Sequence, residues 1–95
     1  MLKVEVKFYA MLREATGRRK ESVELPEKST VGDLVALLSE RYGGDLTHFI
    51  YDDRGRVRDY LSFMLNGYNI YSLDGFETLL SENDVVAILP PVGGG

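Results

Sequence analysis

A chain of 95 residues, 44% hydrophobic and 27% charged, suits one globular domain whose modest core buries somewhat over ~60% of the unfolded surface. A net charge of −4 argues against a general nucleic-acid role, and the lack of cysteine excludes disulfides, thiolate metal ligands and any thiol nucleophile or carrier. The start, Met1-Leu2-Lys3-Val4-Glu5, lacks the apolar centre of a signal peptide, and no apolar run nears the ~20 residues that span a bilayer, so a cytoplasmic protein is expected.

Residues 2–10 alternate. Leu2, Val4, Val6 and Phe8 fall on one face and Lys3, Glu5 and Lys7 on the other, which predicts a strand with one buried face. Residues 10–15 are good helix formers and predict a single helical turn ended by Gly17. Arg18-Arg19-Lys20 is a basic cluster at a turn, better read as a solvated loop than as a partner contact. Glu21 to Leu25 predicts a second strand, with Val23 and Leu25 inward and Pro26 closing it. The connection is short, so the two strands pair as an antiparallel hairpin with a long turn.

The clearest helix follows. Thr30 is a good N-cap and Asp33 makes a capping box with aspartate in place of glutamate. Val31, Leu34, Val35, Leu38 and Tyr42 hold the spacing of one buried stripe, which Leu37 widens. Arg41 suits the negative end of the helix dipole, and Gly43-Gly44 stops the helix.

Residues 45–61 are the least legible. Leu46, Phe49 and Ile50 predict one helical turn on the core, and Asp52-Asp53-Arg54-Gly55 a tight turn between short extended pieces. Asp52, Asp53 and Asp59 match no ligand loop, and the arginines among them argue against a cation site. No metal is predicted. His48, the single histidine, has no neighbouring nucleophile or ligand pattern and reads as a surface residue. Leu61 to Leu65 predicts a strand, Asn66-Gly67 a tight hairpin and Tyr68-Asn69-Ile70 the partner strand. Asp74-Gly75 marks another turn, and Leu79 and Leu80 are expected to tuck under the sheet.

Val85-Val86-Ala87-Ile88-Leu89 is a short apolar, largely β-branched run that predicts a buried strand. Pro90 and Pro91 cannot donate to a ladder, so the strand stops there and leaves in an extended form. Val92 follows, and then Gly93, Gly94 and Gly95 carry no side chain. The chain thus divides into a domain over 1–89 and a flexible tail over 90–95, with a sterically bare carboxylate. A carboxylate is a poor electrophile until it is joined to AMP as a mixed anhydride, after which a thiol, persulfide or amine can attack. An enzyme that does this must thread the tail into a narrow site, and glycine is the residue that fits. A glycine run is also what an idle flexible end looks like, but the strand and the two prolines before it favour function.

The order β-β-α-β-β-β is an α+β arrangement. Placing the last strand beside the first and parallel to it gives a β-grasp, or ubiquitin-like, mixed sheet of about five strands on one main helix, which the right-handed crossover rule permits.

These residues carry a resemblance. Phe8 to Gly17 resembles the F-A-x-L-R-E-x-x-G segment of the small subunit of molybdopterin synthase, with Met11 at its variable position. Thr30-Val31-Gly32-Asp33-Leu34 resembles the start of that family's helix, Asn66-Gly67 its hairpin, and Asp84 to Gly95 its P-P-V-x-G-G terminus. The likeness covers nearly the whole chain, weakly at 45–61. The tail on a β-grasp pattern marks the wider group of ubiquitin-like sulfur carriers and modifiers, archaeal ones included. The resemblance implies that an adenylating enzyme of the ubiquitin-activating type uses ATP and magnesium to activate Gly95. A sulfur donor then supplies the sulfur of a terminal thiocarboxylate. The tail enters the large catalytic subunit, which builds the dithiolene of molybdopterin in molybdenum cofactor biosynthesis. By this likeness Gly94 is the other half of the Gly-Gly pair. Pro90, Pro91, Val92 and Gly93 position the tail, Gly93 standing where alanine is often found. No cofactor is held permanently, and the subunit donates sulfur rather than catalysing by itself. Neither a membrane nor a nucleic acid is an expected partner. The same tail in related proteins forms isopeptide bonds to lysines or supplies sulfur to tRNA bases. A non-covalent interaction domain with an idle tail is the third alternative.

Overall fold

The computed structural model describes residues 1–90. Strand β1, Leu2–Phe8, buries Leu2, Val4, Val6 and Phe8 and turns the residues between them outward, as the alternation requires. Ala10, at φ 50°, bends the chain sharply into helix α1, Met11–Thr16, six residues long and longer than the single turn expected. Gly17 closes it in the left-handed region at φ 73°, its N–H donating to the Arg13 carbonyl at 2.8 Å. Strand β2, Lys20–Leu25, returns antiparallel to β1, from Lys7 opposite Lys20 to Leu2 opposite Leu25.

Helix α2, Val31–Tyr42, opens on the full capping box. The Asp33 N–H donates to Thr30 Oγ1 at 3.1 Å, and the Thr30 N–H donates to Asp33 Oδ2 at 2.9 Å. Thr30→Ala is therefore expected to cost ~0.5–2 kcal/mol, read as a lower denaturant midpoint with unchanged slope. Val31, Leu34, Val35 and Leu38 press on the sheet. Gly32 allows a close approach here. A Cβ at this position would stand 3.2 Å from the Phe76 carbonyl oxygen, so the start of α2 can lie against the turn that carries Phe76. At the other end, the Tyr42 hydroxyl and the Arg41 guanidinium both donate to the Glu21 carboxylate and tie α2 to the start of β2.

Helix α3, Gly44–Ile50, begins directly after Gly43 and is longer than the single turn expected. Leu46 and Ile50 are buried and Phe49 packs partly against them, while His48 is exposed. Tyr51 then bridges Val57 across a tight turn. The Asp52 carboxylate organises this turn by accepting from the backbone N–H groups of Arg56 at 3.0 Å and Arg54 at 2.8 Å. Those donors, with the Arg56 and Arg58 charges, hold its carboxyl below the usual carboxylate range. Among the described residues no group of three His, Cys, Asp or Glu side chains is placed to hold a metal.

Strand β3, Ser62–Leu65, turns at Asn66 and Gly67, both at positive φ, into β4, Tyr68–Asn69. Ile70 was expected to extend β4. It instead opens a 3₁₀ turn, Ile70–Ser72, because Asn69 Oδ1 accepts from the Tyr71 N–H at 2.9 Å and turns the chain inward, burying Ile70. A second 3₁₀ turn spans Gly75–Glu77. The expectation that both Leu79 and Leu80 tuck under the sheet is half wrong. Leu80 is 4% exposed and Leu79 is 61% exposed. Leu79 is extended and bridges Thr30, so its neighbour must point the other way.

Strand β5, Val85–Leu89, runs through the middle of a five-stranded sheet of order β2-β1-β5-β3-β4. It is parallel to β1 and antiparallel to β3. The fold is thus an α+β β-grasp with a mixed five-stranded sheet, joined by two short helices that the periodicity only hinted at.

Candidate functional site at the outlet of the last strand

Two side chains anchor β5. Val86 and Ile88 are fully buried on the helix side, and Ile88 lies in register between Phe8 and Phe63. Their neighbours Val85, Ala87 and Leu89 lie half-buried on the face away from α2. On that face Met64 stands opposite Ala87, with Ser62 opposite Leu89 and Lys7 beside Ala87 on the other side. An apolar stripe of Val85, Ala87, Leu89 and Met64 therefore runs along β5 toward Pro90, which is half-buried at its end. The sequence leads one to expect a partner on an apolar patch at this outlet, and this stripe is the candidate for that patch, with Met64 the member that only the fold supplies. A signal was present: β5 is apolar at both parities, whereas a strand with one solvated face needs apolar residues only at alternate positions.

The outlet is locally positive, although the chain is acidic overall. Phe8 donates to the Arg19 carbonyl at 2.8 Å, so the β1–β2 turn closes at the end where β5 leaves. Arg18, Arg19 and Lys20 are exposed there, as a solvated turn would have them, and Lys20 faces Lys7 across the strands. Glu21, the nearby acid on β2, is already engaged by Tyr42 and Arg41. Met11 and Tyr60, on the segments beside the outlet, are exposed to 36% and 47% and add apolar surface.

Of the residues assigned to the tail, Pro90 is placed directly after β5. Pro91, Val92, Gly93, Gly94 and Gly95 lie outside the described residues. No helix among the described residues is long and apolar enough to cross a membrane.

The ThiS family matches residues 6–95, from within β1 to the last glycine. This chain belongs to the ThiS family. Small archaeal modifier protein 3 of Haloferax volcanii is 33% identical to this ThiS-family chain over 94 residues, covering 99% of it and all of that protein. The molybdopterin synthase sulfur carrier subunit of Drosophila erecta is 33% identical over 95 residues, covering 100% of this chain and 93% of that one. The crystal structure of the small modifier SAMP1 of Haloferax volcanii superposes with a TM-score of 0.87 at 28% identity, covering 98% of this chain and 99% of that one. The ThiS-family protein is accordingly a ubiquitin-like sulfur carrier or modifier.

Proposed function

We propose that this ThiS-family protein is the sulfur-carrying small subunit of a molybdopterin synthase, with Gly95 as the residue that is activated and thiolated. The observation that carries the reading is the central strand itself. β5 is pinned in the core at Val86 and Ile88, shows an apolar stripe outward, and leads straight into Pro90 and a glycine end. A rigid base beneath a bare tip is what an enzyme needs if it must place a carboxylate without obstruction.

The chemistry follows from the tip. The Gly95 carboxylate attacks the α-phosphorus of ATP, with magnesium supplied by the activating enzyme, and pyrophosphate leaves. Sulfur at the level of sulfide, from a separate donor, then displaces AMP and leaves a thiocarboxylate. Gly94 and Gly93 pass the narrow part of the site, and Pro90, Pro91 and Val92 set its reach. The synthase's large subunit takes the sulfur into a dithiolene. The named likeness to molybdopterin synthase sulfur carrier subunits supports this assignment.

A second reading has its own support. The likeness to small archaeal modifier proteins extends over the whole chain, and a protein modifier uses the same adenylate with a lysine amine as the attacking group. The intact mass of the chain from its own cells separates the two. Exchange of one oxygen for sulfur on Gly95 supports the carrier, an isopeptide to lysine the modifier, and unmodified Gly95 overturns both.

The partner is expected to dock on the stripe beside the outlet. Met64→Glu sets a charge opposite Ala87 on the half-buried outer face. It is expected to weaken capture by the adenylating enzyme at least about tenfold, ~1.4 kcal/mol, with an unfolding midpoint close to the parent's. Unchanged affinity in a titration would remove the stripe from the interface.

A further inference from the structure

We propose that the groove between β2 and α2 receives an extended, apolar segment of a partner protein, flanked by lysine or arginine, as an added strand on the sheet edge. This inference stands apart from the chemistry of the tail. Among the described residues β2 is an outer strand, bonded on one side only. The register shows which of its backbone groups are left over. Phe8 donates to the Arg19 carbonyl, in step with the pairing of Leu2 to Leu25. Antiparallel alternation then turns the backbone groups of Glu21, Val23 and Leu25 toward β1 and those of Ser22 and Glu24 outward. β1 agrees, since Glu5 donates to Asp84 and the Lys3 carbonyl accepts from Asn83, both on its other side. Ser22 and Glu24 therefore offer N–H and C=O groups to a further strand.

A groove of about 560 Å³ lies between α2 and the Glu24–Leu25 end of this edge. Leu25, Pro26, Ala36 and Leu37 give it an apolar floor, and Glu24, Glu27, Asp33 and Glu40 give it an acidic rim, offset by Lys28, by the N-terminal ammonium beside Glu27 and by Lys3 opposite Glu24. Positions 33, 36, 37 and 40 share one helix face, so α2 presents the apolar side chains of Ala36 and Leu37 between two carboxylates. Asp33 caps its helix and Glu27 faces the N-terminal ammonium at 3.4 Å, but Glu24 and Glu40 make no ion pair among the described residues. The complement is an apolar strand with cationic flanks. A segment with acidic flanks would be repelled. The groove is also remote from the outlet of β5. Leu25 faces Leu2, whereas the chain leaves beside Phe8, at the other end of β1 and ~20 Å away. A protein bound at this edge leaves the outlet free for the enzyme that handles the tail.

The test titrates the ¹⁵N-labelled full chain with two acetylated, amidated peptides, Lys-Lys-Val-Ile-Val-Lys-Lys and Glu-Glu-Val-Ile-Val-Glu-Glu. The basic peptide is expected to bind saturably, to shift the amides of Ser22, Glu24, Ala36 and Leu37, and to bind more weakly as salt rises. The acidic peptide is expected not to bind. Ala36→Arg, at an exposed helical position, fills the groove with a long cation and is expected to weaken the basic peptide at least about tenfold while other amides stay in place. Glu40→Lys, also exposed, serves as the second variant if the first fails to fold. Saturation with shifts elsewhere, equal binding of both peptides, no saturable binding, or indifference to both variants would overturn the proposal. So would a concentration-dependent dimer of the chain alone that Ala36→Arg abolishes, because the edge would then belong to a second copy.

Discussion

Deleting Gly94 and Gly95 is expected to leave the unfolding transition in place and to reduce thiocarboxylation by more than ~10²-fold. The fold half of this result follows from where the core lies. Every buried hydrophobic residue among those described falls between Leu2 and Ile88, so the deletion removes no recorded core contact and should change stability by no more than ~0.5 kcal/mol. The activity half follows from reach. Two residues span up to ~7 Å, and a misplacement of ~1 Å in a reacting group can already cost ~10²-fold. A carboxylate moved back to Gly93 would not meet the α-phosphorus in the activating enzyme. Thermal unfolding of the truncated chain, with its intact mass after incubation with the activating enzyme, ATP, magnesium and a sulfur donor, reads both halves. Loss of the transition would overturn the first, and a sulfur-bearing product would overturn the second.

Ile88→Ala is expected to be the more damaging change to the fold, at ~2–5 kcal/mol. Ile88 is fully buried, the last such residue before the outlet, with Phe8 on one neighbouring strand and Phe63 on the other in register. Truncation there leaves a cavity between two aromatic rings that neither strand can close alone. Phe63 is further held by an edge-to-face contact with Phe76, 5.1 Å between centroids, and cannot swing freely into the space. Against a total stability of ~5–15 kcal/mol the loss is large, and at roughly 4–8 °C per kcal/mol the midpoint should fall by ~8–40 °C. Ile88→Val should cost only ~0.5–1.5 kcal/mol. Denaturant titrations of the two variants check both values, and a loss below ~1 kcal/mol for alanine would show that the site collapses around the gap.

Local chemistry made much of this fold legible. The alternation of Leu2, Val4, Val6 and Phe8, the Thr30–Asp33 capping box and the Asn66-Gly67 turn each specify a conformation within a few residues, and each appears as read. The parallel pairing of β1 with β5 was also anticipated, but from the fold-level argument, because nothing near residue 5 points to residue 85. The failures share one cause. Leu79 and Leu80 are equally apolar, and only the bridge to Thr30 decides which of them faces the core. Ile70 has a strand-former's side chain but is turned by the amide of Asn69, a contact that periodicity does not register. At the candidate site, residue types suggested the chemistry of the glycine end and an apolar patch at the outlet, while the residues that make up that patch were not legible. The stripe of Val85, Ala87, Leu89 and Met64 comes from strands 20 residues apart and exists only once β3 lies beside β5.

The central position of β5 has a mechanical consequence. Among the described residues it is the one strand that joins the β1–β2 hairpin to the β3–β4 hairpin, and it is held by a ladder on each side. Tension applied beyond Pro90 along the strand axis loads both ladders in shear, so their bonds must yield together rather than peel one after another. A pull on the chain beyond Pro90 would thus be borne by two ladders at once, and the domain behind it is expected to resist unravelling.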